Sequence, residues 1–183
     1  MDNTNIKNRV KIVTSFSPSD NIILTGFMGC GKSYFSTRLA EALSYDLKDS
    51  DTMIEADENL SITEIFSKFG EDYFRKLEAR SAEKIKKLSS CVIATGGGFP
   101  IYYKDIKSLG IVIYMDISFD DIVKRMSQED IQKRPLFSDI NQAKKLFDAR
   151  ENIYKERSHF HINASVSMEE MIAQTKAFLF NRS

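Results

Sequence analysis

An α/β domain built on a parallel sheet is predicted by three features of the sequence. From about residue 21 onward, short β-rich runs alternate with longer stretches of helical periodicity, the pattern of βαβ units. Three of the β-rich runs, at 21–25, 91–95 and 111–115, are apolar almost throughout, as strands covered on both faces require. The first run ends at a glycine-rich turn, where a strand hands over to a helix.

The elements follow in order. Residues 1–20 are polar with a Ser17-Pro18-Ser19 segment, and a mobile or loosely docked arm is expected there. A single domain is expected over 21–183. Asn21-Ile22-Ile23-Leu24-Thr25 is the first strand. Lys32 to Ser44 is a helix with Phe35, Leu39, Ala42 and Leu43 on one face. The short run Tyr45 to Lys48 leads into Asp49-Ser50-Asp51, read as extended chain with both carboxylates on one face. Ser61 to Phe69 and Glu71 to Leu88 are two helices, the first opened by a capping box of Ser61 and Glu64. Cys91 to Thr95 and Ile111 to Met115 are buried strands. Ser118 to Met126, Asn141 to Arg157 and Ser167 to Phe180 are helices, with a strand at His159 to Asn163. About five strands in a three-layer sandwich result. The polar segment from Ser127 to Asp139 has little periodicity, and a lid is expected at about 127–140.

Composition narrows the function. A chain of 183 residues, 42% apolar and 28% charged, is an ordinary soluble domain with room for a core. Lys+Arg and Asp+Glu balance at 26 each, so nothing supplies the basic excess of a nucleic-acid binder. The two cysteines, Cys30 and Cys91, make neither a zinc pattern nor a disulfide scaffold, and a reducing compartment is expected. No signal peptide opens the chain and no apolar run spans a membrane, so the expected location is the cytoplasm. No coiled coil or apolar patch stands out, and a monomer is the default.

Gly26-Phe27-Met28-Gly29-Cys30-Gly31-Lys32-Ser33 matches G-x-x-x-x-G-K-[ST] in full. Its glycines let backbone N–H groups wrap phosphates, and the following helix adds its dipole. Lys32 can reach the β/γ oxygens of a nucleotide, and the Ser33 hydroxyl can ligate Mg²⁺. There is no Asn-Lys-x-Asp guanine reader, so a small-molecule kinase is favoured over a GTPase. Of Asp49 and Asp51, one can serve Mg²⁺ and the other a substrate hydroxyl. Arg75 and Glu78 share a helix face at i, i+3. Thr95-Gly96-Gly97-Gly98 ends a buried strand, where three glycines leave room for backbone to touch a ligand. Arg134-Pro135-Leu136-Phe137 lies in the lid segment, and Arg150 lies on the helix after it.

In this order and spacing the six motifs resemble those of the shikimate kinase family, over Leu24 to Tyr154. The resemblance implies a nucleoside-monophosphate-kinase-type fold with a five-stranded parallel sheet in the order 2-3-1-4-5. It implies transfer of the ATP γ-phosphoryl group to the 3-hydroxyl of shikimate, in aromatic amino-acid biosynthesis. It casts Lys32 as the phosphate lysine within a nucleotide-binding stretch of Gly29, Cys30, Gly31, Lys32, Ser33 and Tyr34. Ser33 becomes the Mg²⁺ ligand, and Asp49 the carboxylate holding Mg²⁺ through water. Asp51 binds the substrate hydroxyls and acts as general base. Arg75 and Arg150 clamp the shikimate carboxylate, oriented by Glu78, while Gly97 and Gly98 offer backbone contacts. Arg134 closes on the phosphates, and Arg125 contacts the adenine side. After the last strand, Ala164-Ser165-Val166-Ser167 carries no arginine, so a backbone adenine contact is expected there. The competing reading is a related P-loop kinase for another small hydroxyl substrate, such as gluconate.

Overall fold

A computed structural model describes residues 16–127, 129, 131 and 134–181. Five strands form one parallel sheet: β1 (Ile22–Thr25), β2 (Asp46–Asp49), β3 (Cys91–Ala94), β4 (Ile111–Asp116) and β5 (Phe160–Asn163). Their spatial order is β2-β3-β1-β4-β5, as the resemblance implied. Register is set by the apolar pattern. Ile22 pairs with Val92 and Ile111, and Asp49 pairs with Ala94.

Alternation along the strands splits the core in two. Ile22, Leu24, Val92, Ile111 and Ile113 face the layer of α1 (Lys32–Leu43), α6 (Ile140–Glu156) and α7 (Met168–Phe180). Ile23, Cys91, Ile93 and Val112 face α3 (Ile62–Ile85) through Ala82 and Ile85. Because strands of period two present one set of side chains to each face, both faces need cover, and three layers follow. A smaller cluster of Ile54, Ile65, Phe74 and Leu77 joins α2 (Ser50–Glu58) to α3.

The helices expected at 61–69 and 71–88 are the two halves of α3, which is broken at Gly70 by a non-helical φ of 78°. The capping box at its start is present, with Ser61 and Glu64 bonding each other's backbone. The extended stretch expected through Asp51 ends earlier. Asp49 closes β2 and caps α2, its Oδ1 accepting from the N–H groups of Asp51 and Thr52 at 2.9 and 3.1 Å. A short polar residue at a strand end satisfies orphan helix donors, and that local gain starts the helix. The expected i, i+2 geometry is therefore replaced by a cap.

The arm expected at 1–20 lies outside the described residues over 1–15, and its last residues are docked. The Pro18 carbonyl accepts from Tyr45 Oη at 2.7 Å and from Ser90 Oγ at 3.0 Å. Phe16 meets Phe180 of α7 edge to face.

Asn21 fastens the N-terminal edge of the sheet. Its buried amide donates to the carbonyls of Ile85, Leu88 and Leu109 at 3.2, 2.9 and 3.4 Å, and its Oδ1 accepts from Cys91 N–H at 3.2 Å. Asn21→Ala strands several buried polar groups, so a stability loss of about 2–4 kcal/mol is expected in denaturant unfolding. The site lies at the other end of the strands, so activity at 25 °C should persist.

Candidate active site

A parallel sheet delivers all its strand-to-helix turns to one edge. The glycine-rich turn after β1, Asp49 after β2 and the glycine run after β3 therefore meet. They line one cavity of about 410 Å³ that includes Lys32, Ser33, Tyr34, Asp49, Asp51 and Gly97. Arg125 and Arg134 reach the same cavity.

Side chains cap α2, α3, α5 (Phe119–Arg125), α6 and α7, while the one-turn α4 (Phe99–Tyr102) follows the glycine run without one. Helix α1 also has no side-chain acceptor, beginning at Gly31 with φ 97°. Its first N–H groups thus face the cavity's glycine loop, the arrangement that binds phosphate. The Lys32 ammonium is held over the loop by the carbonyls of Gly26 and Phe27 at 2.7 and 2.9 Å, and lies 3.6 Å from Cys30 Sγ. Cys30 itself is buried beneath the loop, so any contact it makes with a nucleotide is through its backbone.

Asp51 occupies the first turn of α2, against the glycine run. A Cβ on Gly96 would stand 2.8 Å from Asp51 Oδ1, so glycine is what admits the carboxylate here. Ser50 ties the two segments, accepting from Gly96 N–H at 3.1 Å and donating to Asp51 Oδ1 at 3.4 Å. Burial, reinforced by the nearby Asp49 charge, pushes the Asp51 carboxyl up to about 6, with Lys32 and Ser50 working the other way. Such a carboxylate near neutrality suits proton acceptance. Ser33 hydroxyl, Asp49 and Asp51 form an all-oxygen donor set at the cavity wall. Mg²⁺ takes few protein ligands and keeps waters and phosphate oxygens, so this sparse, hard set fits it. Among the described residues no cluster of three or more His, Cys, Asp or Glu could cage a metal.

Arg75 enters from α3. Its Nη1 donates to Glu78 Oε2 at 2.7 Å, and its Nε and Nη2 donate to Glu71 Oε1 at 3.2 and 2.6 Å. The Tyr102 ring lies 3.8 Å from the guanidinium carbon. A Cβ on Gly98 would stand 2.7 Å from Arg75 Nη1, so the second essential glycine admits this arginine. Glu78 is 2% exposed, and burial raises its carboxyl against the pull of Arg75. Arg150 of α6 reaches the same corner. It hydrogen-bonds Tyr154, whose hydroxyl donates to the Gly97 carbonyl at 2.7 Å, and its charge is felt by Glu71 and Glu78.

The far end of the cavity holds the remaining arginines. Arg125 Nη1 donates to the Ala164 carbonyl at 2.7 Å, which joins it to the segment expected to meet adenine. Arg134 Nη1 comes within 3.5 Å of where a Gly29 Cβ would lie. The expected lid is not uniformly loop. Pro135–Ser138 forms a 3₁₀ turn, and Phe137 is buried among Phe27 and Phe119, with Phe147 packing on the same two rings. Residues 128, 130, 132 and 133 of the expected lid lie outside the described residues.

Four participants escaped the sequence reading: Ser50, Glu71, Tyr102 and Tyr154. Glu71 alone left a signal, four residues before Arg75 on a helix. The histidines serve the fold: His159 Nδ1 accepts from Val112 N–H at 2.9 Å, and the His161 ring bonds the Lys155 carbonyl.

The model of the shikimate kinase family matches residues 28–179. The chain belongs to the shikimate kinase family. A shikimate kinase of Helicobacter hepaticus is 42% identical over 153 residues, covering 83% of this chain and 91% of that one. The solved shikimate kinase of Acinetobacter baumannii, in complex with shikimate, aligns at TM-score 0.80 and 27% identity, covering 90% of this chain and 95% of that one. A gluconokinase of Sinorhizobium meliloti shares only the fold, at TM-score 0.57 and 14% identity. The acceptor is therefore sought among shikimate-like molecules. This family member is an ATP-dependent kinase acting on a hydroxyl. Among the described residues no helix is long and apolar enough to cross a membrane.

Proposed function

We propose that this enzyme moves the γ-phosphoryl group of ATP to the 3-hydroxyl of shikimate, with the roles that follow. The observation that carries the reading is the meeting of Asp51 and Lys32 in one cavity, walled by a glycine run that Arg75 adjoins at Gly98 and Arg150 adjoins through Tyr154. The backbone of Gly29 to Tyr34 cradles the nucleotide phosphates. Lys32 draws charge from the β/γ oxygens, and Arg134 closes over them. Arg125, with the backbone after β5, borders the adenine. Ser33 would hold Mg²⁺ directly and Asp49 through water; the ion would neutralise phosphate charge as it builds up.

Arg75 and Arg150 bind the shikimate carboxylate, whose planar shape matches the guanidinium fork. Glu78 keeps Arg75 in place, and Gly97 and Gly98 leave room for the ring. Asp51 accepts the 3-hydroxyl proton. The freed oxygen bonds to the γ-phosphorus as the bond to the β-bridging oxygen breaks, and ADP leaves. Most of the catalysis is positioning and charge stabilisation, so correct spacing matters more than any single covalent step.

The chain acts as a single domain over 21–183 with its lid at about 127–140, as a cytoplasmic monomer without nucleic-acid or membrane partners. ADP release with ATP and Mg²⁺ tests the function directly. Release that depends on shikimate and not on gluconate is expected; release with gluconate alone would overturn the assignment.

Gly98→Ala tests the acceptor corner. The new methyl group displaces Arg75, which the buried Glu78 prevents from retreating. Shikimate KM should rise about 10- to 100-fold, as for a misplaced binding group. The KM for ATP should hold, and circular dichroism should show an intact fold.

A further inference from the structure

The Arg75 guanidinium already carries two carboxylates, and they are not equivalent. Glu78 takes Nη1 from a position 2% exposed, and losing that contact would leave its buried charge unpaired. Glu71 takes Nε and Nη2 together, and its side chain is 53% exposed. The Nε/Nη2 edge is one of the two sides on which a guanidinium grips a carboxylate bidentately. The Nη1/Nη2 end borders Gly98. Tyr102 covers one face of the group at 3.8 Å and hydrogen-bonds Glu71 as well. Glu71 directly follows the bend at Gly70, where even a Cβ would have open space.

We propose that Glu71 is an internal competitor for Arg75, a carboxylate that holds the guanidinium edge until the acceptor carboxylate displaces it, and so sets acceptor affinity and selects for acidic acceptors. This rests on the reading of Arg75 as the carboxylate site. Glu71 touches no reacting atom and acts only through Arg75. An ordinary helix-surface pair at i, i+4 has the opposite consequence. There Glu71 supports Arg75, and its loss weakens acceptor binding. The two roles therefore differ in the sign of one measurement.

The experiment titrates shikimate into the full-length protein by calorimetry and measures steady-state kinetics, for the unmodified enzyme, Glu71→Gln and Tyr102→Phe. Glu71→Gln keeps the side-chain shape and removes the charge. The shikimate Kd and KM should fall about two- to fivefold, the equivalent of an exposed ion pair. Tyr102→Phe keeps the ring on Arg75 and removes the hydroxyl that holds Glu71, so a smaller change of the same sign is expected. An unchanged or raised Kd in Glu71→Gln overturns the proposal. Arg75→Ala separates the two levels. If it leaves shikimate binding intact, the carboxylate-site reading fails; if it weakens binding while Glu71→Gln does not tighten it, the competition alone fails. Thermal midpoints of all variants identify any loss of fold.

Discussion

Asp51→Asn is expected to lower kcat by about 10²- to 10⁴-fold, the usual contribution of a positioned proton acceptor. The amide is the same size and cannot take the 3-hydroxyl proton. ATP affinity should stay within about threefold, because the substitution leaves the glycine loop and α1 untouched and removes a negative charge near the phosphates. A collapse of nucleotide affinity would show that Asp51 serves the nucleotide and not the acceptor. The same variant should be more stable than the parent. The carboxyl titrates at about 6 in the folded metal-free protein and at 3.8 as its ordinary value. Folding therefore favours the protonated form, and the associated stability is present below about pH 4 and lost as pH rises through about 6. With chelator present, Asp51→Asn should gain about 1–3 kcal/mol at pH 8 and nothing at pH 4, after allowance for partial exposure. Equal effects at both pH values would mean that burial does not strain the charge. A site residue that weakens the fold it belongs to is a common cost of function.

Arg75→Ala carries the second large effect. Shikimate binding should weaken by about 2–4 kcal/mol, roughly 30- to 1,000-fold in KM, because a carboxylate then enters the pocket unpaired. The substitution also leaves Glu78 buried without its cation. A stability loss of about 3 kcal/mol is expected from that alone. The two consequences separate in the double variant Arg75→Ala with Glu78→Gln. Removing the orphaned charge should restore the unfolding midpoint while KM stays high. Recovery of both together would mean that Arg75 matters for packing and not for the acceptor.

Much of the site was legible before any coordinates. The phosphate loop is a local object: its glycines, Lys32 and Ser33 are contiguous, and their spacing alone dictates a turn into a helix. The central strands β1, β3 and β4 were legible because they are apolar on both faces, and the helices because their apolar periodicity was regular. Strand order and the roles of scattered residues such as Arg150 came through family resemblance, since no local pattern encodes which distant segments meet.

Where local reading failed, competing local interactions were at work. Asp49 looked like one of two carboxylates on extended chain, but its side chain gains more by capping α2. Phe137 looked like part of a polar loop, and only the aromatic cluster around Phe27 and Phe119 draws it inward.

By itself, the sequence determined most of the individual strands and helices, the phosphate loop and the identity of the charged groups, because those depend on spacing within a few residues. Tertiary structure alone decided that Gly96 makes room for Asp51, that Gly98 makes room for Arg75, and that Tyr102 closes on the same guanidinium. These are contacts between segments distant in the chain. Their geometry follows from how two layers of helices pack on one sheet, and so does the burial that shifts Asp51 and Glu78.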